Sequence, residues 1–264
     1  MKYDIANLSE ARPTRRSVTR AAAWSVPVIA TATTAPAFAA SPCDARTNQV
    51  LDWDASNVTW NRKTNETGTA SLTPAVNVPV LTLDVAATYA GDMKSGYELT
   101  SSGTTNPSLR LASAVGGLGI SGVSLWQNTT SASPQGYNDI GRYTFTFSRE
   151  VSNLRFTITD IDYASGDFKD ALQISGAAYT VTSRGAGVIQ ASDATFGRYF
   201  IANESSGASN NATGSAGNLE LKFAGPLKTF TIAYINALSG SFTNGVDTDQ
   251  TIYVSDMTFD YKPC

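Results

Sequence analysis

The sequence of 264 residues contains no histidine. This absence excludes a Ser-His-Asp triad, a Cys-His pair, imidazole zinc sites and imidazole acid–base catalysis. Only carboxylates, tyrosines and lysines remain for proton transfer. A glycosidase built from carboxylates alone needs two of them facing each other across a groove, roughly 5 to 9.5 Å apart. The glutamates fall in loops or on the polar faces of strands, so we expect no catalytic residues, with a carboxylate-only glycosidase as a distant alternative.

Charge is also scarce, because only 16% of the residues are charged, 19 of them basic and 22 acidic. Without a basic patch to hold phosphate groups, nucleic acid is not an expected partner. A long hydrophobic run is missing as well. The apolar stretch of residues 21–32 is shorter than the ~18 to 20 residues of a spanning helix, and Pro27 interrupts it. We therefore expect no membrane association once the leader is removed.

The first 39 residues have the features of an export leader. Arg15 and Arg16 lie in a basic region, an apolar stretch follows, and residues 37–39 (Ala-Phe-Ala) form a small-x-small cleavage signature. Residues 14–20, TRRSVTR, resemble a twin-arginine export signal, with the general secretory route as the alternative. The leader is similar to those of secreted proteins from high-GC Gram-positive bacteria. We predict that residues 1–39 are removed and that residues 40–264 form one secreted, extracellular or surface-associated domain.

Cysteine is nearly absent, because Cys43 and Cys264 are the only two. In an oxidising compartment we expect them to form an intramolecular disulfide, which requires the first and last strands to be neighbours. Two free thiols or an intermolecular bond are the alternatives. Metal binding by two isolated cysteines without histidine is not expected.

Period-two alternation of apolar and polar residues recurs along residues 40–264, whereas helical periodicity does not. Residues 142–148 and 154–159 predict two strands joined by a short turn at 149–153. Further strands are predicted at 50–53, 58–60, 80–86, 109–111, 121–126, 171–174, 179–182, 198–201, 219–223, 230–234 and 252–261, the last with a bulge near Ser255 and Asp256. Such strands bury their apolar faces only against another sheet. We predict an all-β fold, a two-sheet antiparallel β-sandwich of jelly-roll type with adjacent termini.

One dense acidic cluster follows the strand of residues 154–159. Its aspartates are Asp160, Asp162, Asp167 and Asp170. Alternate aspartates point to one side of an extended chain, and the turn at Gly166 can bring the later ones back, which would gather oxygen ligands for Ca²⁺. We predict these four as calcium ligands, and the loop of residues 244–250 adds two aspartates that could contribute. The alternative is an acidic turn in which Lys169 is the partner.

The stretch of residues 147–162, FSREVSNLRFTITDID, with Asp170 downstream and the closing VSDMTF of residues 254–259, resembles bacterial cell-surface β-sandwich domains that carry a V-x-N-L-x-F-x-I-x-D-I-D strand. The resemblance extends over roughly half of the body, and part of it is the generic alternation of a buried strand. It implies a non-catalytic surface, adhesin-like or jelly-roll module.

Two functions remain open from the sequence. The first is a secreted structural, adhesive or surface-associated module whose partner is a cell-surface glycan or protein. The second is a carbohydrate-binding, lectin-like module, which needs exposed aromatic rings as a stacking platform. The ligand-binding candidates are Trp126, Tyr137 and Tyr163, with Trp53, Trp60 and Tyr199 as further members of such a platform. The competing interpretation is that these rings fill the core.

Overall fold

The computed structural model of the protein describes residues 43–74, 77–99, 105–133, 136–206, 213–243 and 250–264. All of them belong to the compact unit Pro42–Cys264. The predicted leader and the aspartates of residues 244–249 lie outside the described residues, so the export signal stays a prediction. Within the described ranges, no helix is long and apolar enough to cross a membrane.

The described residues form strands and two short 3-10 turns, Gly136–Asn138 and Glu204–Ser206. The strands are β1 (Arg46–Leu51), β2 (Val58–Arg62), β3 (Thr67–Leu72), β4 (Leu81–Ala90), β5 (Met93–Ser95), β6 (Tyr97–Leu99), β7 (Thr105–Pro107), β8 (Leu111–Ala112), β9 (Gly122–Thr129), β10 (Ile140–Thr159), β11 (Tyr163–Ala164), β12 (Phe168–Ser175), β13 (Tyr179–Arg184), β14 (Val188–Asp193), β15 (Gly197–Ala202), β16 (Leu219–Phe223), β17 (Leu227–Asn236), β18 (Gln250–Ser255) and β19 (Met257–Tyr261). Their pairings are antiparallel. The predicted all-β, antiparallel sandwich is confirmed.

Strand β10 is shared by both layers. Residues 140–147 pair with β4 on one edge and with β17 on the other. Residues 151–159 pair with β16 on one edge and with β18 and β19 on the other. The predicted turn at residues 149–153 is therefore wrong, because the chain continues forward and changes its pairing partners there. Asn153, with a φ of 52°, lies at this change.

The hydrogen-bonded neighbours of β10 define the two layers. In the first layer the strand order is β2, β3, β4, β10, β17, β12, β15 and β14. In the second layer β13 and β16 lie on one side of β10, and β19 with β1 and β18 with β9 lie on the other. Both layers present apolar side chains to one shared core.

Aromatic rings join the two layers across the core. Phe230 of β17 stacks on Phe145 at a centroid distance of 4.7 Å and on Phe156 at 5.0 Å. Phe145 and Phe156 belong to the two different halves of β10. Because packed ring pairs stabilise a fold beyond the area that they bury, this stack holds the layers face to face.

The last two strands are interrupted near Ser255 and Asp256, where the sequence predicts a bulge. Val254 before it and Met257 after it are both buried, and Asp256 separates β18 from β19. One extra residue keeps the alternation on the core side in both strands. Strand β1 then pairs with β19, with Leu51 opposite Met257, so the first and last strands are neighbours.

Candidate functional site

The predicted disulfide between Cys43 and Cys264 is present. Their Sγ atoms are 2.14 Å apart and their Cα atoms 4.9 Å apart, across a separation of 221 residues. The pairing of β1 with β19 brings the two segments side by side. The bond therefore closes the fold where its first and last strands meet.

The three predicted ligand-binding aromatics lie in three different surroundings. Trp126 exposes only 7% of its surface, so its prediction as an exposed stacking platform is wrong. All eight residues of β9 are buried, so Trp126 lies in a strand that is covered on both faces. Tyr163 is half-buried and packs against the main core. Tyr137 is half-buried in a separate cluster on the outer face of the first layer.

Tyr137, Phe196 and Tyr199 form what we call the outer aromatic cluster. The centroid distances are 4.6 Å between Tyr137 and Phe196, 5.8 Å between Phe196 and Tyr199, and 6.4 Å between Tyr137 and Tyr199. The rings lie over Ala171 and Ile235, whose chain neighbours point into the main core. Since alternate residues of a strand face opposite sides, the cluster lies on the outer face. Tyr137 and Tyr199 remain half-exposed there.

Asp193 fixes the orientation of this cluster. Its Oδ1 accepts the backbone N–H of Thr195 at 2.8 Å and of Phe196 at 2.6 Å, and its Oδ2 accepts the hydroxyl of Tyr137. The Phe196 N–H, followed by the Tyr137 hydroxyl, lowers the pKa of Asp193. Burial, followed by the hydrogen bond to Asp193, raises the pKa of Tyr137. An ionised carboxylate therefore stands beside half-exposed rings at this surface.

The predicted calcium ligands separate into two groups. Asp160, Asp162 and Asp170 are buried, whereas Asp167 is half-buried on the turn before β12. Asp160, with a φ of 67°, follows directly after β10. Aspartate tolerates this left-handed conformation better than most residues do, and the conformation redirects the chain where the strand ends.

Asp170 is the centre of a buried hydrogen-bond network. Its Oδ1 accepts the hydroxyl of Tyr234 at 2.7 Å and the amide of Gln250 at 2.9 Å, and its Oδ2 accepts the backbone N–H of Asp162 at 3.1 Å. The Oε1 of Gln250 in turn accepts the amide of Gln127 at 2.8 Å. Burial, followed by the charge of Asp162, raises the pKa of Asp170, while the three donors act in the opposite direction. The network connects β12, β17, β18 and β9.

Asp160 has a different environment. Burial, followed by the charge of Asp162, raises the pKa of Asp160 to about 8. Its Oδ1 is buried without a hydrogen-bond partner. The two ion pairs found among the described residues, Arg155 with Glu220 and Lys169 with Glu204, do not include it.

The four aspartates do not assemble as one site. In the part of the chain that the structure describes, no group of three or more acidic, histidine or cysteine side chains is arranged to hold a metal ion. Asp167 lies on the turn, and Asp170 is engaged by its three donors. Lys169, the predicted partner within the acidic turn, instead binds Glu204 at 2.5 Å. Calcium binding by the segment stays a prediction.

Asp256 yields a prediction about pH. Its Oδ1 accepts the backbone N–H of Trp53 at 3.0 Å, but burial, with the charges of Asp52 and Asp54, raises its pKa from 3.8 to about 6. A folded-state pKa above the unfolded one means that this group's contribution to stability is full below pH 4 and is lost as the pH rises through 6. Asp256→Asn keeps an oxygen for Trp53. The unfolding free energy of Asp256→Asn minus that of wild type should therefore increase by about 1 kcal/mol from about pH 4 to pH 7.5. This value includes a discount for the partial exposure of Asp256.

Urea denaturation at these two pH values measures the effect of Asp256→Asn. Asp260→Asn is the matched control, because Asn153 and the backbone N–H of Asn48 lower the pKa of Asp260. Its effect should have the opposite sign, with stability lost relative to wild type as the pH rises. An identical pH dependence in wild type and Asp256→Asn would contradict the assignment.

Sequence reasoning missed most of the polar framework. Phe196 and Asp193 were not candidates, although an aspartate followed by Ala-Thr-Phe-Gly is a turn signal in which the side chain accepts backbone N–H groups. Tyr234 and Gln250 lie 64 and 80 residues from Asp170, and no local pattern relates them.

Comparisons of this chain with protein-family models, with curated proteins and with solved structures find no match.

Proposed function

We propose that this protein is a secreted, non-catalytic β-sandwich module with a structural, adhesive or cell-surface role. The observation that carries the proposal is the Cys43–Cys264 disulfide between the first and last strands. Disulfides persist in oxidising compartments outside the cytoplasm, so the bond is compatible with export. A covalently closed sandwich is suited to conditions outside the cell.

Two of the acidic groups, Asp170 and Asp193, support a role without catalysis. The buried carboxylate of Asp170 accepts three hydrogen bonds from within the fold. Asp193 uses both of its oxygens within its own turn and on Tyr137. Carboxylates held in this way stabilise the fold, and a chain without histidine has few other groups for proton transfer.

A second candidate function is carbohydrate binding at the outer aromatic cluster. The observation that favours it is the half-exposed pair Tyr137 and Tyr199 beside the carboxylate of Asp193. Sugar rings stack their C–H faces on aromatic side chains, and their hydroxyls donate hydrogen bonds to carboxylates. Tyr137 and Tyr199 are two of the ring candidates that the sequence offered for such a platform, whereas Trp126 is buried.

One set of measurements tests both functions. The full chain is expressed in a bacterial host, and its distribution among medium, cell surface and cytoplasm is measured for wild type and for Arg15→Lys with Arg16→Lys. The secreted protein is then incubated with insoluble polysaccharides, and both retention and new reducing ends are measured. We expect export and no new reducing ends. Retention that Tyr199→Ala abolishes would assign the carbohydrate-binding function.

Tyr97→Ala is the matched control, because Tyr97 is 43% exposed and lies outside the cluster. Protein that stays in the cytoplasm would contradict the secreted role, and new reducing ends would contradict the absence of catalysis. Retention that Tyr97→Ala reduces as much as Tyr199→Ala would remove the outer aromatic cluster from the account.

A further inference from the structure

Strand β14 forms an open edge of the first layer. Within the described ranges it pairs with β15 alone, and the register runs without a bulge from Val188 to Asp193. An edge strand presents backbone N–H and C=O groups with which another chain can pair. The groups that β14 presents therefore determine which partner fits this edge.

The carbonyl of Gly187 shows which residues of β14 point outward. It accepts the N–H of Asn203 at 2.7 Å, so these two residues, one step beyond the ends of the paired strands, form a hydrogen-bonded pair. Opposite residues of an antiparallel ladder alternate between hydrogen-bonded and non-hydrogen-bonded pairs. The N–H and C=O groups of Gln190 and Ser192 therefore point away from β15, as does the carbonyl of Val188.

Strand β14 lacks the features that block other edges. Proteins protect their edge strands with charged side chains and with bulges. Strand β13, for which the described residues provide only β16 as a partner, has a bulge and ends in Arg184. The one charged residue of β14 is Asp193, which binds the N–H groups of its own turn and the hydroxyl of Tyr137. Gln190 and Ser192 are uncharged and exposed, so the edge is open.

A second copy of β14 has the groups that this edge requires. When two copies run antiparallel about a two-fold axis at Gln190, each Gln190 exchanges its N–H and C=O with the other. The N–H of Ser192 then reaches the carbonyl of Val188 in the other copy. The N–H of Val188 needs no partner there, because it donates to Gly185 within its own chain at 3.2 Å. The backbone groups of the edge are thus used in both copies.

The side chains favour the same register. Ile189 is 43% exposed, and it lies with Ala191 on the outer face of the first layer. With the axis at Gln190, Ile189 lies opposite the small side chain of Ala191 in the other copy, which covers it. With the axis at Ala191, Ile189 would instead lie opposite the carboxylate of Asp193. Apolar contact and the absence of charge at the axis therefore select Gln190 as the centre.

We propose that two copies of this chain associate by antiparallel pairing of their β14 strands, centred on Gln190. The first layers of both copies then form one continuous sheet through an isologous contact. Because the two-fold axis is perpendicular to the sheet, both outer aromatic clusters face the same side of the dimer. The association goes beyond the proposed secreted role and does not depend on carbohydrate binding.

Sedimentation velocity of the mature secreted protein over a range of concentrations tests the proposal. Gln190→Lys places two like charges opposite each other at the axis, so it should raise the dissociation constant of the dimer at least about tenfold. Gln190→Glu should do the same. An equimolar mixture of the two variants should associate again, because opposite charges then face each other. This recovery is specific to a contact in which residue 190 meets itself.

Ser183→Lys is the matched control, because it adds the same charge to an exposed position of the edge strand β13. It should leave the dissociation constant within about twofold of wild type. The proposal is overturned if wild type stays monomeric up to about 1 mM. It is also overturned if Ser183→Lys weakens association as much as Gln190→Lys, or if the mixture associates no better than either variant alone.

Hydrogen exchange of wild type provides a measurement that needs no variant. The amides of Gln190 and Ser192 should exchange more slowly as the protein concentration rises, because pairing protects them. The amide of Ile189 already faces β15 and should change less. Exchange at Gln190 and Ser192 that is independent of concentration while a dimer forms would place the contact elsewhere and overturn the proposal.

Discussion

Replacing both Cys43 and Cys264 by serine should lower the free energy of unfolding by about 5 kcal/mol. The disulfide closes a loop across 221 residues, and a cross-link of that length removes much of the conformational entropy of the unfolded chain. Small domains are stable by only about 5–15 kcal/mol in total, so the loss is large. Both cysteines are exposed, so serine at these positions removes no core packing.

Urea denaturation followed by circular dichroism measures this effect. The unfolding midpoint should fall in the double variant and in reduced wild type by similar amounts, because both act by opening the same loop. Reduction of the double variant should change nothing, which controls for effects of the reductant. An unchanged midpoint after reduction of wild type, with both thiols shown to be free, would contradict the prediction.

Asp170→Ala should be the most damaging single substitution in the polar framework, with a loss of about 3–5 kcal/mol. It would leave the hydroxyl of Tyr234, an N–H of Gln250 and the backbone N–H of Asp162 without their acceptor in a fully buried place. A buried donor without a partner loses the hydrogen bond that water provides in the unfolded chain. The variant also leaves a cavity between strands of the two layers.

Two companion variants make this result interpretable. Tyr234→Phe keeps the ring and removes one donor, so it should cost about 1 kcal/mol. Asp167→Ala removes a half-buried carboxylate of the same segment and should change stability by less than about 0.5 kcal/mol. Urea denaturation of the three variants measures the series. If Asp170→Ala costs no more than Asp167→Ala, the network does not stabilise the fold. If Asp170→Ala does not fold, the cost of Tyr234→Phe still tests it.

The apolar side of the fold could be predicted from the sequence because its signal is local. Phe145 and Phe156 alternate with polar neighbours, and both lie in the core. The same alternation could not show that they belong to one strand. Polar residues between two apolar runs are common to a turn and to a strand that changes sheets, and only the partners β4, β17, β16 and β19 distinguish the two cases.

Strand β3 shows a second limit. Its buried positions include Gly68 and Ala70, which carry little β-strand signal. The structure gives the reason, because a Cβ on Gly68 would lie 2.5 Å from the ring atom Cη2 of Trp60. A small residue is required where a large ring covers the strand, and the sequence does not show which ring that is.

The candidate sites depend more than the apolar core does on contacts between residues that are distant in the sequence. Tyr137 meets Phe196 and Tyr199 only after the sheets have formed. From the sequence, the acidic segment was a candidate calcium site and Tyr137 a candidate ligand-binding ring. The sequence could not show that Trp126 is buried.

The position of the disulfide also determines how the folded unit would respond to a mechanical load. Tension applied at residues 43 and 264 passes through a single S–S bond and bypasses the strands between them, because the two Cα atoms are only 4.9 Å apart. The oxidised unit therefore behaves as an inextensible link under pulling. Reduction would transfer the same tension to the hydrogen bonds between β1 and β19, and the unit could then lengthen by unravelling.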